Sequence, residues 1–147
     1  MKVLFLVLIF VFATSAAAIA DPAKLKDPEV SHNPTACPDL TGKFLFETEE
    51  KDIDLELVSG QNSSGMPTLT MISNGTSEES VIDGNVQKID DENSWRGSCD
   101  NQIVYFYYYQ NAKVHSLETY SLDKDTNLVV TAEYFDADDY RVIAERK

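Results

Sequence analysis

The chain is poor in the groups that most catalytic and metal chemistries require. Its 147 residues include two cysteines, two histidines and one tryptophan. No second cysteine pair, and no histidine at ligand spacing, suggests zinc. The cysteines, Cys37 and Cys99, do not form a C-x-x-C, so a redox motif is not indicated. There is no G-x-G-x-x-G, no phosphate loop and no G-x-S-x-G. Basic residues are scarce, 12 against 25 acids, for a formal net charge of −13. A surface so acidic repels nucleic acid and anionic lipid headgroups, and keeps the chain in solution. No apolar run of spanning length follows residue 20, so no membrane span is expected beyond that point.

What is present at the start is a leader. Lys2 supplies a positive n-region, residues 3–12 are an unbroken apolar run, and Ala18-Ile19-Ala20 ends a stretch of small residues. That is the pattern of a secretory signal peptide, residues 1–20, cut near Ala20. Cleavage would remove Lys2 and no acid, so the mature chain is more acidic still. It would be secreted or periplasmic, and soluble. In an oxidising compartment an even pair of cysteines reads as a disulfide, Cys37–Cys99. It would close a loop of about 60 residues, for which the chain-entropy estimate is about 4 kcal/mol.

Residues 21–36 contain Pro22, Pro28 and Pro34 with little apolar content, which predicts an extended tail. The folded domain is expected over 37–147. There the pattern is strand after short strand. Ile53-Asp54-Leu55-Glu56-Leu57 alternates apolar and acidic, as a half-buried strand does. Residues 59–65 carry turn chemistry. Asn74-Gly75 and Asp83-Gly84 are two hairpin signals. Asp100-Asn101 and residues 123–127 separate further strands. Roughly eight to ten strands at regular spacing, with short loops, predict an all-β, single antiparallel up-and-down meander, closed into a barrel. One strand is apolar or aromatic on both faces, with Tyr105, Tyr107 and Tyr109 on one and Phe106 and Tyr108 on the other. It is a candidate ligand or partner surface.

At Cys37-Pro38-Asp39-Leu40-Thr41-Gly42-Lys43-Phe44 the chain resembles the opening strand of calycin barrels. Lipocalins carry G-x-W there, and avidins a Cys-x-Leu-Thr-Gly-Lys-Trp. Phe44 stands in the tryptophan's place. The resemblance implies a barrel in which a basic residue of the last strand, Arg146 with Arg141 as the alternative, packs across Phe44 and plugs one end. The other end would then be the mouth for a small apolar ligand. The lone Trp95 departs from avidins, whose biotin site needs several tryptophans, so no ligand-contacting residue is carried over.

The remaining candidates are weaker as sites. Residues 123–127 begin like a calcium loop, but Leu128 and Tyr134 stand where glycine and glutamate are needed. A turn is expected and no metal. Asp136, Asp138 and Asp139 form a second acidic turn. His115 and Ser116 are neighbours on a strand and should face opposite ways, so they do not make a triad. Asn62-Ser63-Ser64 and Asn74-Gly75-Thr76 are sequons that matter only in a eukaryotic source. The leading expectation is a non-enzymatic protein that needs no cofactor and binds a small apolar ligand inside its barrel. The alternative is a module that docks a protein partner through the tyrosine-rich strand, with a filled core. A small secreted hydrolase using two of the many carboxylates is a third class.

Overall fold

A computed structural model describes residues 32–147. The segments read from the sequence as a signal peptide, 1–20, and as the first part of a tail, 21–31, lie outside the described residues. Ten strands follow in order: β1 (Gly42–Phe46), β2 (Ile53–Gln61), β3 (Pro67–Ser73), β4 (Thr76–Val81), β5 (Val86–Lys88), β6 (Asn93–Asp100), β7 (Ile103–Gln110), β8 (Lys113–Leu122), β9 (Leu128–Tyr134) and β10 (Tyr140–Arg146). They form one antiparallel sheet in the order β4-β3-β2-β1-β10-β9-β8-β7-β6-β5. Every ladder but one joins strands adjacent in sequence. The exception pairs β1 with β10, Phe44 opposite Arg146.

The sheet is curled, because its inner face forms one continuous core. Phe44, Leu57, Leu69, Phe106, Val130 and Ala144, from six different strands, belong to a single buried cluster. Phe44 and Phe106 are 0% exposed. Burying each contributes about 2–3 kcal/mol against solvent exposure. Alternation along the strands decides which residues enter this core. Leu55 and Leu57 are buried, and the intervening Glu56 is not.

The wall is not closed. Among the described residues no ladder joins β4 to β5. Asp83-Gly84, read from sequence as a hairpin turn, is instead a corner between two sheet edges. Gly84 sits at φ +76° and gives its N–H to the Gly97 carbonyl of β6. The Ile82 N–H goes to Pro67 of β3. The link thus ties the second strand in from each edge, and the edges themselves share no backbone ladder, only the Gln87 side-chain amide of β5 donating to the Val81 carbonyl of β4. Both edges are short, and β4 carries Glu78 and Glu79, features that discourage further strand pairing.

A second difference lies at residues 59–61, expected as turn and found within β2. Ser59 is the reason: its Oγ accepts the Leu40 N–H, and its own N–H goes to Thr41 Oγ1. The turn proper is Asn62 to Gly65, where the Asn62 side chain accepts from Ser64 and Met66. Asn74-Gly75 turns as expected, with both φ values positive, 51° and 75°. The β7–β8 ladder holds one irregularity. Tyr108 faces Ser116 and Tyr109 faces Val114, so His115 is the extra residue of a bulge.

Residues 32–40 form a strap across one end of the curled sheet. Asn33 donates its N–H to the Cys99 carbonyl, and Gln102 donates to Ala36. A 3₁₀ turn at Pro34–Ala36 follows, capped by Asn33. Cys37 is bonded to Cys99. Leu40, 0% exposed, enters the core. The described part of the expected tail, 32–36, is therefore docked on β6 rather than projecting.

Candidate functional site

The strap end carries a cleft of ≈ 570 Å³. Its floor is apolar: Leu69, Ile82 and Val104 of the core, with the buried sulfur of Cys99. Its rim is polar, formed by Thr35 and Asp39 of the strap and by Ser59, Gln61 and Thr68 of the β2–β3 hairpin. Each side has a cause. At this end the last residues of β2 and the first of β3 pair with one another and form one side of the cleft. The disulfide holds the strap opposite them. Asp39 accepts the Thr41 N–H at 3.0 Å. Hydrogen bonding from the Thr41 side chain and backbone holds its carboxyl below the usual carboxylate range.

Phe44 and Arg146 meet at this same end. The guanidinium carbon lies 5.1 Å from the ring centroid. Arg146 Nε donates to the Thr126 carbonyl and Nη1 to the Thr41 carbonyl, both at 3.0 Å. Gly42 makes the room, since a Cβ there would fall 2.7 Å from Arg146 Nη1 and 3.0 Å from the Phe44 ring. The Phe44–Arg146 contact expected from the sequence is thus present, and it lies at the same end as the cleft. The plug covers the β1–β10 side of the strap end, and the cleft opens on the β2–β3 side of that end.

Deeper in the sheet, β8 places Glu118 on the inner face, 1% exposed. Tyr120 donates its hydroxyl to Glu118 Oε2 at 2.8 Å. Glu118 Oε1 is buried without a hydrogen-bond partner. Burial pushes the acid up to about 8, and the Tyr120 bond offsets this in part. Tyr108, Tyr134 and Tyr140 bring three further phenols into the same electrostatic neighbourhood, their hydroxyls all raised first by burial and then by nearby groups, Glu118 among them. Tyr140 is pushed up to about 12. A buried acid among phenols, with no cation contributing to its shift among the described residues, is an unusual interior for a small β protein.

The aromatic strand β7 divides between faces. Phe106 and Tyr108 turn inward, where Phe106 meets the Tyr120 ring edge-on at 5.7 Å. Tyr105, Tyr107 and Tyr109 turn outward. There the Tyr105 and Tyr107 rings stack at 6.3 Å. Arg96 of β6 lies over Tyr107 and Tyr109, at 5.4 and 5.6 Å. Tyr107 and Tyr109 are buried with Val114, against Leu117. The five aromatics singled out in the sequence are thus two core residues and three outer ones.

The other candidates are scattered. Asp123 Oδ1 accepts the Asp125 and Asn127 N–H groups, the hydrogen bonding of a turn. Asp139 accepts the Tyr134 N–H. Asn62 and Asn74 lie on turns before and after β3. Ser116 is buried on the inner face, and His115 sits at the bulge. Among the described residues no group of three or more His, Cys, Asp or Glu is placed to hold a metal ion. No helix there is long and apolar enough to cross a membrane.

The fold and site define a class: an all-β antiparallel meander with a disulfide-held strap and a cleft beneath it. No family model, curated protein or solved structure matches the chain.

Proposed function

We propose that the protein is a non-enzymatic secreted or periplasmic binding protein, a calycin-like barrel interrupted at the β4–β5 corner. Its small ligand lies in the strap-end cleft, with an apolar body on Leu69, Ile82 and Val104 and a polar end at the rim. The observation that carries this is the cleft itself. Its ≈ 570 Å³ lies within the range of about 300–1,000 Å³ usual for ligand sites, and its lining joins an apolar floor to a comparably polar rim, as an amphiphilic ligand would require. The disulfide supports an oxidising compartment. The centre of the curled sheet is filled by large side chains, so the mouth is the better place for a ligand.

The test uses a neutral apolar fluorophore, N-phenyl-1-naphthylamine. One equivalent per chain is expected to bind with a blue-shifted emission. Gln61→Trp, at the exposed rim, should abolish it by filling the entrance. Binding unchanged in that variant would sink the cleft as the site.

One observation favours a second reading, a module that docks a protein partner through the outer face of β7. The Arg96–Tyr107–Tyr109 stack has the residue types that dominate binding hot spots.

A further inference from the structure

We propose that the strap-end cleft selects a cationic amphiphile, a small primary amine with an apolar body, and that Asp39 is its counter-charge. This rests on the cleft reading above and adds the charge of the ligand's head.

Of the described residues that line the cleft, Asp39 alone bears a charge. Its carboxylate is held ionised by Thr41, so the rim is negative at neutral pH. Among the described residues no lysine, arginine or histidine lines the cleft to greet an anion. Arg146, whose charge acts on Asp39, is otherwise engaged. Its donors go to the Thr41 and Thr126 carbonyls, and its plane lies on Phe44. It lowers the Asp39 carboxyl only as the last of the contributing effects. The field of the whole chain points the same way. With 25 acids against 12 bases, a cation is drawn toward the surface and an anion is pushed off.

The rim has more to offer an ammonium than a charge. Such a group carries three donors and no acceptor. Gln61 and Thr68 present side-chain oxygens that can accept, while Ser59 Oγ is already engaged by the Leu40 N–H. The floor asks for the other half of the ligand. Leu69, Ile82 and Val104 are each 3% exposed or less, and offer nothing polar. A purely polar cation, such as a free polyamine, would leave this floor uncovered. A purely apolar molecule would leave the carboxylate against an uncharged neighbour.

The experiment compares decylamine, decanol and decanoate by calorimetric titration of the full exported chain at pH 7 and low salt. The three share one tail and differ only in the head. Decylamine is expected to bind about fivefold tighter than decanol, the scale of one partly exposed ion pair, and decanoate weakest. Asp39→Asn should bring the amine-to-alcohol ratio close to one. Decanol binding as tightly as decylamine would overturn the inference and leave the cleft reading standing. An amine preference that survives Asp39→Asn would overturn the role of Asp39. Binding of none of the three would overturn the cleft reading, and the inference with it.

Discussion

Glu118→Gln should remove most of the protein's pH-dependent loss of stability between pH 5 and 8. The folded-state acid titrates near 8, against 4.5 when exposed, because burial penalises its charge. Below 4.5 both states hold the proton and nothing is lost. From there to about 8 the unfolded chain gives up a proton that the folded chain keeps. The unfolded state then binds fewer protons, so stability falls as pH rises, by about 1.4 kcal/mol per unit. Between pH 5 and 8 the loss amounts to roughly 3–4 kcal/mol, a large share of a small domain's 5–15 kcal/mol. Glutamine keeps the shape and an acceptor for the Tyr120 hydroxyl and has no charge to bury. Its NH₂ must still find acceptors, at a cost of about 1–3 kcal/mol that does not depend on pH. The variant should therefore be the more stable at pH 8 and lose its advantage toward pH 5. Urea midpoints of both proteins at pH 5, 6, 7 and 8 decide it. The other shifted carboxyls, Asp39, Asp90 and Asp123, are lowered, so they act as pH falls below 4, outside this window. Parallel profiles for the two proteins would refute the assignment of a buried, neutral Glu118.

Two further outcomes are expected. Replacing both Cys37 and Cys99 by alanine should cost about 4 kcal/mol for a closed loop of 62 residues' separation. It should also abolish fluorophore binding under conditions where the sheet's circular dichroism persists, because the strap is one wall of the cleft; full binding in the folded variant would separate the two. Gly42→Ala should drive Arg146 off Phe44 and cost about 1–3 kcal/mol, the range for overpacking. An alanine variant melting with the parent would show that the guanidinium moves aside freely.

Alternation and turn chemistry made most of the architecture legible. Strict alternation at 53–57 placed β2, and Asn74-Gly75 placed the β3–β4 turn. Asp83-Gly84 misled because a dipeptide specifies a reversal of the chain, and not whether the strands on either side stay in register. Gly97 and Pro67, distant in sequence, took the amides of the link instead. The Tyr-rich strand showed that two faces would be apolar, and the structure divides them between core and outer stack. Glu118 was not legible. An acid on a strand normally marks the solvent side, and only the bulge at His115 and the phenols of β8, β9 and β10 explain why it faces inward. The cleft escaped notice for a different reason. It is built from the ends of strands and a docked strap, whose residues carry no motif. Asp39 likewise belongs to no motif that marks it as a binding residue.

The ladder between β1 and β10 has a consequence for the order of assembly. Every other ladder can form as soon as its two neighbours in sequence exist. β1, by contrast, has one edge that no strand can cover until residues 140–146 have been made. An emerging chain therefore carries an uncovered first strand through nearly its whole synthesis, while the gap in the finished wall falls in the middle of the chain. Joining the ends and cutting at 82–85 would turn the same sheet into a run of purely sequential hairpins. Such a permutant would have the lower contact order, and topology alone would make it the faster folder of the two.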